Sequence, residues 1–275
     1  MVKHLIEDLS QIQRRLEGTD LIALFLDYDG TLVPFAATPE GALPSPEVLR
    51  ILGALAAHPR CRPVIISGRE LSDLKEMLGD TEGLTLAGSH GLEIATSDDL
   101  FIPELAKRTK PLVESIYREL ERELAKERGI KLECKGHGLS LACHYRLVAP
   151  ERENPVVERV KSVMEKQDRD KLLVAMPGNK VVEILPRGWH KGRAAEMILE
   201  RWAFANDLPI YIGDDITDER AIQFLVQREE GWITIRVMRS PTETAAHFYL
   251  RGPAEVQSFL EWLLQAPYYF REGEA

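Results

Sequence analysis

Leu21-Ile22-Ala23-Leu24-Phe25-Leu26-Asp27-Tyr28-Asp29-Gly30-Thr31 is the stretch that decides the fold. Its first six residues are apolar without a break, far short of the roughly 18 needed for a membrane span and right for a strand. An unalternating run of that length predicts a strand covered on both faces, as in a parallel sheet. The run ends abruptly on two aspartates around a tyrosine, then a glycine. In open parallel sheets ligands bind beyond the carboxyl ends of strands, so these acids stand where chemistry is expected.

Outward from it, short apolar runs alternate with amphipathic segments, the pattern of a doubly wound α/β fold. A helix is predicted over 4–16. Ser45-Pro46 opens another in the favoured first-turn manner. Pro63–Ile66 is the next strand, and Leu71, Leu74 and Leu78 mark the helix after it. Leu84–Ala87 and Leu92–Ala95 read as strands around Gly88-Ser89-His90-Gly91. The character then changes. A long charged helix over 104–128 precedes the alternating runs Lys131–Lys135 and Leu139–Arg146, a hairpin turning at Gly136-His137-Gly138. A helix at 155–167 leads to strands Lys171–Met176 and Lys180–Leu185. This unit reads as a small α/β cap, residues 104–187, inserted into a core formed by 1–103 and 188–275. The core pattern resumes with helix 190–204, strand Ile210–Gly213, helix 218–227, strand Trp232–Val237 and helix 254–264.

Composition narrows the function classes. The 275 residues carry 35 Lys and Arg against 44 Asp and Glu, a formal charge of −9. A phosphate-backbone binder needs a basic surface, so nucleic acid is an unsuitable partner. With 44% hydrophobic and 29% charged residues the chain is expected to be globular and soluble, with no membrane segment. The N-terminal residues lack the order of a signal peptide. Three cysteines without a CxxC spacing imply no disulfide framework, and together these features predict a cytoplasmic protein.

Four separate segments supply polar groups to one rim. Asp27 and Asp29 follow the first strand, Ser67-Gly68-Arg69 the second, and Asp214, Asp215 and Asp218 the late strand, while Lys191 begins a helix. Each has an ordinary reading: Asp-Gly is turn chemistry, Ser67 and the late acids suit helix caps, and Lys191 suits a surface. Those readings leave unexplained why acids gather without neutralising partners nearby in sequence. Oxygen ligands without His or Cys point to a hard cation, Mg²⁺. A divalent ion, a lysine and a hydroxyl around a carboxylate suit phosphoryl transfer, with Asp27 as nucleophile and Asp29 as acid/base. Competing motifs fail: there is no GxxxxGK[ST], GxSxG or HExxH.

Asp27-Tyr28-Asp29-Gly30-Thr31-Leu32, Ser67-Gly68-Arg69, Lys191-Gly192 and Gly213-Asp214-Asp215 resemble the four ordered motifs of the haloacid dehalogenase phosphatase superfamily. The insertion resembles its C2-type cap. Gly88-Ser89-His90-Gly91-Leu92-Glu93, His144-Tyr145-Arg146, Val182-Glu183-Ile184-Leu185-Pro186 and Asp215-Ile216-Thr217-Asp218-Glu219 add a narrower resemblance to the trehalose-6-phosphate phosphatase family. The resemblance implies a Rossmann-like core and Mg²⁺-dependent hydrolysis of trehalose 6-phosphate through an aspartyl-phosphate. It implies that Asp27 is nucleophile and metal ligand, that Asp29 is acid/base with its carbonyl on the metal, and that Asp214 is a ligand with Asp215 and Asp218 beside it. Ser67 and Lys191 would hold the phosphate with Arg69 close by; His90 belongs with the substrate-binding residues, and Glu133, Lys135, Lys180 and Glu183 would contact the sugar. A trehalose-phosphate synthase is the implied partner. Arg220 departs from the family, which often has an acid there. A phosphatase of another glycosyl phosphate, such as glucosylglycerol or sucrose phosphate, is the alternative, and a catalytically silent sugar-phosphate sensor a second. From the residues themselves, Lys131, Glu133 and Lys135 alternate onto one strand face. Glu183 interrupts an apolar run, a place for a hydrogen-bonded charge or for an edge strand that resists aggregation.

Overall fold

The structure, a computed structural model, describes residues 2–36, 38, 41–79, 81–202, 207–228 and 231–265. In chain order its elements begin with β1 (Lys3–His4), α1 (Ser10–Leu16), β2 (Leu21–Leu26), α2 (Pro46–Ala57), β3 (Cys61–Ile66), α3 (Leu71–Leu78), β4 (Thr85–Gly88), β5 (Glu93–Ala95) and β6 (Leu100–Phe101). There follow α4 (Glu104–Glu123), β7 (Lys131–Lys135), β8 (Ser140–His144), α5 (Pro150–Gln167), β9 (Leu173–Gly178) and β10 (Val181–Pro186). The last are α6 (Lys191–Trp202), β11 (Asp207–Gly213), α7 (Ile216–Leu225), β12 (Ile233–Val237), β13 (Phe248–Leu250) and α8 (Pro253–Gln265). Two compact units result, one of residues 1–100 with 190–275 and the other of Phe101–Trp189.

In the first unit the described strands form one sheet in the order β1-β13-β12-β11-β2-β3-β4-β5-β6. Pairing is parallel from β1 to β4 and antiparallel between β4 and β5. Every residue of β2 is buried, as an unbroken apolar run requires. Ile22, Leu24 and Leu26 pack in one core with Ile51, Leu52 and Leu55 of α2 and Phe259, Leu260 and Leu263 of α8. Phe25, of opposite parity, stacks at a tilt with Trp232, 5.2 Å between centroids. The chain leaves β2 toward β3 and leaves β11 toward β12. The β2–β11 seam is therefore a topological switch point, where the carboxyl ends of two neighbouring strands diverge into a crevice.

The second unit is a four-stranded antiparallel sheet in the order β7-β8-β10-β9. Val113, Ile116 and Leu120 of α4 and Val156, Val160 and Val163 of α5 share its core with Leu141, Cys143, Val182 and Ile184. One face of the sheet thus carries the helices, and the other carries Glu133, Lys135, His144 and Glu183.

Several elements differ from the sequence reading. The helix expected over 4–16 is a short strand and a helix beginning at Ser10, because Lys3 and His4 pair with Phe248 and Tyr249 in a parallel ladder. No local pattern announces so distant a partner, and β13 itself was missed. The 104–128 helix ends at Glu123. Helix α5 begins at Pro150 and continues through Pro155, so the first-turn proline is the earlier one. Residues 203 and 204, expected at the end of a helix, lie outside the described residues. The edge-strand reading of Glu183 is overturned, since β10 lies between β8 and β9.

Buried Asp168 closes α5 by accepting from the backbone N–H of Leu172 (2.8 Å) and Leu173 (2.7 Å). Asp168→Ala leaves both donors without that acceptor. The expected cost is about 2–4 kcal/mol, read as a lower urea midpoint with catalytic residues untouched.

Candidate active site

The end of β2 is tied to its neighbour: Asp27 N–H donates to Ile212 O at 2.9 Å. The chain then doubles back. Leu32 and Val33 N–H both donate to Tyr28 O, at 3.0 and 3.1 Å, and Gly30 N–H donates to Val33 O at 2.8 Å. Gly30 has φ +83°, and a Cβ there would overlap the Asp214 carboxylate. Only glycine gives both the left-handed backbone and the room for that close approach.

From β11 the chain enters Asp214, Asp215 and α7. Asp215 is the N-cap of α7, its Oδ1 accepting from Thr217 N–H (2.7 Å), the Thr217 hydroxyl (2.6 Å) and Asp218 N–H (2.9 Å). Fully buried Asp218 is more heavily engaged. Its Oδ1 accepts from Lys191 Nζ (2.9 Å) and Tyr211 Oη (2.7 Å), and its Oδ2 from the N–H groups of Asp214 and Asp215, both at 3.1 Å. Lys191 Nζ also donates to Asp27 Oδ1 at 2.6 Å. Three chain segments converge on one buried ammonium.

Charge in this space is unbalanced. Carboxylate oxygens of Asp27, Asp214 and Asp218 lie within 4.8 Å of one another. Burial, then repulsion from Asp218, pushes Asp27 well above the ordinary carboxylate range despite Lys191. The same two causes, with Asp215 added, raise Asp214 to about 7. Burial works against Asp215 too, but Lys191 and the hydrogen bonds from Asp218 and Thr217 outweigh it and hold that group low. Burial would depress Lys191, yet Asp218 and Asp27 carry it well above its usual value. Buried Asp214 Oδ1 has no hydrogen-bond partner among the described residues. An orphaned oxygen beside an all-oxygen, anionic donor set fits a hard dication such as Mg²⁺. Asp27 and Asp214 have the oxygens to hold it; Asp215 and Asp218 are occupied in fixing the turn.

Ser67, at the end of β3, is buried, and its Oγ accepts from Arg69 N–H at 3.2 Å. Arg69 forks onto Asp29, Nε to Oδ2 and Nη2 to Oδ1, both 2.7 Å, and lies 5.3 Å from the Tyr28 ring centroid. His90 N–H donates to Ser67 O at 2.7 Å. A Cβ on Gly68 would come within 2.8 Å of the His90 ring, so the imidazole packs over the Ser-Gly-Arg turn.

In the inserted unit, Lys135 Nζ donates to Glu183 Oε1 at 3.1 Å. Glu133 is gripped at both oxygens, Lys131 Nζ at 2.6 Å from Oε1 and His144 Nε2 at 2.9 Å from Oε2. The His144 hydrogen bond is the main cause holding Glu133 down at about 2, against burial and with help from Lys131. Lys180 is not brought to this group: its ammonium pairs with Glu153 of α5, at 2.5 Å.

Residues 25–254 match the family described as Trehalose-phosphatase. The chain belongs to that family. It is 37% identical over 259 residues to the trehalose 6-phosphate phosphatase RA3 of Zea mays, covering 88% of this chain and 69% of that protein. A probable trehalose-phosphate phosphatase 4 of Oryza sativa is 34% identical over 251 residues, 89% of this chain and 66% of its own length. The chain thus spans about two thirds of these relatives. Among solved structures, Aspergillus fumigatus trehalose-6-phosphate phosphatase superposes with TM-score 0.72 at 26% identity, covering 97% of this chain and 100% of the other. The C-terminal domain of the Candida albicans enzyme matches the fold with TM-score 0.73 at 22% identity, over 96% and 98% of the two chains. In this trehalose-phosphatase chain no described helix is long and apolar enough to cross a membrane.

Sequence reasoning passed over the supporting roles of three residues. Tyr211 sits inside a strand and reads as core, yet its hydroxyl is a donor to Asp218. Arg236 donates to Asp215 O from β12. His144 stands in a quoted motif, but its contact with Glu133 follows from pairing register: it faces Lys131 and lies beside Glu133 across the β7–β8 ladder.

Glu133 gives a pH-dependent expectation. Its folded value lies below its ordinary 4.5, so its stabilising charge is fully present above pH 4.5 and is lost as pH falls toward 2. Glu133→Gln is expected to be less stable at neutral pH by about 1 kcal/mol, allowing for partial exposure. Denaturation midpoints at a series of pH values should converge with those of the parent protein across that acid window.

Proposed function

We propose that this trehalose-phosphatase relative hydrolyses trehalose 6-phosphate to trehalose and phosphate, with Mg²⁺, through an aspartyl-phosphate on Asp27. The observation that carries the reading is the Lys191 ammonium holding Asp27 against an excess of buried carboxylate. Lys191 fixes Asp27 Oδ1, leaving the carboxylate one orientation from which to meet phosphorus. A carboxylate oxygen of Asp27 forms the new bond to phosphorus as the bond to the sugar oxygen breaks, and Asp29 gives that oxygen a proton. Water then attacks phosphorus, Asp29 accepts its proton, and the Asp27–phosphorus bond breaks. Arg69 holds both oxygens of ionised Asp29, and one prong of that fork would be released whenever Asp29 carries the proton. Ser67 and Lys191 would hold the phosphoryl oxygens, with His90 bracing the Ser67 turn. Mg²⁺, held by Asp27, Asp214 and the Asp29 carbonyl with Asp215 and Asp218 behind them, would neutralise charge developing on phosphoryl oxygens.

The inserted unit, approximately residues 104–187, is proposed as the cap that reads the sugar. Glu133 and Glu183 would accept hydrogen bonds from hydroxyls and Lys135 would donate one, while Lys180 supports that sheet through Glu153. A cytoplasmic location and supply of substrate by a trehalose-phosphate synthase belong to the same proposal.

Phosphate release from a panel of sugar phosphates, with Mg²⁺ or excess EDTA, tests this reading. Trehalose 6-phosphate should be the preferred substrate, EDTA should abolish turnover, and Asp27→Asn should remove it in a folded protein. Undiminished turnover in EDTA, or preference for another glycosyl phosphate, would overturn the corresponding part.

Selectivity has a separate test. A hydrogen bond to a charged group is worth about 1.5–3 kcal/mol, roughly ten- to more than a hundredfold in kcat/KM. Glu183→Ala should cost about that factor on trehalose 6-phosphate and far less on p-nitrophenyl phosphate. Equal losses on the two substrates would assign Glu183 a structural role through Lys135.

A further inference from the structure

We propose that the ring of Phe35 is the apolar platform for the carbon-bearing face of the sugar next to the transferred phosphoryl group, and so helps set preference for pyranosyl phosphates. The inference rests on the reading of this site as a sugar-phosphate phosphatase and assigns a residue that the motifs do not contain.

Phe35 is 70% exposed, an unusual state for a large aromatic side chain. Single exposed apolar residues are common and need no explanation by themselves. Position distinguishes this one. A Cβ placed on Gly30 would lie 2.7 Å from Phe35 Cε2 and closer still to the Asp214 carboxylate. The ring edge and the Asp214 carboxylate therefore both crowd the Gly30 Cα and are close neighbours, beside the backbone that links Asp29 to Thr31. Nor is the ring carried by a loose strand of chain. Gly30 N–H bonds to Val33 O, and Asp29 bridges Val33 in parallel register. Pro34 then restricts the backbone immediately before Phe35. Past it, Tyr28 Oη donates to Ala42 O at 2.9 Å, pinning the returning chain to the residue between the two catalytic aspartates.

The chemistry of the substrate class supplies the occupant. A phosphoryl group at Asp27 carries its ester oxygen and first carbon outward, and a pyranose follows directly. Its hydroxyls seek donors and acceptors, but its C–H groups gain only by leaving water against an apolar surface. Binding sites for such molecules combine a few placed polar groups with an aromatic wall. The rim around Asp27, Asp29, Arg69 and Asp214 is rich in the first, and Phe35 provides the second.

The test uses the full chain with Mg²⁺ and compares Phe35→Ala, Phe35→Leu and Phe35→Trp on trehalose 6-phosphate and on acetyl phosphate, which has no ring. Phe35→Ala is expected to lose about tenfold in kcat/KM on the sugar phosphate, mostly through KM, a loss several times larger than on acetyl phosphate. Phe35→Trp should retain activity within about threefold because it keeps an aromatic face, and Phe35→Leu should fall between. Equal losses on both substrates would overturn the proposal, as would a loss confined to kcat. Leu serving as well as Trp would also overturn it, since that is the mark of plain packing against protein. Failure of the functional reading is seen separately: the unsubstituted protein would then release no phosphate from trehalose 6-phosphate, and the proposal would fall with it.

Discussion

The buried ammonium of Lys191 is the charge on which this site depends. It joins the end of β2, the start of α6 and the first turn of α7 through contacts of 2.6 and 2.9 Å. Burying a carboxylate is costly unless it is paired and hydrogen-bonded, and Asp27 and Asp218 are both buried. Lys191 compensates for part of that cost, and Tyr211 and two backbone N–H groups finish the work at Asp218. The lysine also stands at the N-terminal end of a helix, where the macrodipole disfavours a cation. A local rule broken at the same place where two strands deliver acids is what a site built for chemistry looks like.

The two units use charge in opposite ways. In the first, carboxylates are crowded and desolvated, so they are driven away from their ordinary ionisation and are suited to bond-making and to holding a cation. In the second, Glu133 and Glu183 are each matched by a basic partner on an antiparallel sheet, and their charges are held ready for hydrogen bonding. The same functional group, a carboxylate, is crowded and desolvated in one setting and individually paired in the other.

What was legible in the sequence followed from local physics. The run Leu21–Leu26 is a strand with the limits its hydrophobicity implied, and the Ser45-Pro46 start of α2 is capped by Ser45 Oγ accepting from Val48 N–H. The convergence of Asp27, Lys191 and Asp214 could be argued because all three lie at ends of elements of one doubly wound unit. Strands β1, β6 and β13 were invisible because each is two or three residues long, too short for a hydrophobic pattern, and β1 has its partner at the far end of the chain. The same limit hid the role of Tyr211, whose hydroxyl matters only through a neighbour seven residues on, and the grip of His144 on Glu133, which strand register defines. Arg69 was placed near the phosphate by motif, but its fork onto Asp29 is a matter of side-chain geometry.

The β2–β11 seam has a consequence for how the molecule comes into being. Its two strands are separated by the whole inserted unit, and Asp27 lies 164 residues before Lys191. At a synthesis rate of about 5–20 residues per second, the first aspartate waits on the order of ten to thirty seconds for its counter-charge. The inserted unit is contiguous, with all of its core partners between Phe101 and Trp189, and so has them in hand while the sheet of the first unit is still half made. During that interval β2 presents an unpaired apolar edge, the kind of surface that chaperones guard and that neighbouring nascent chains can capture.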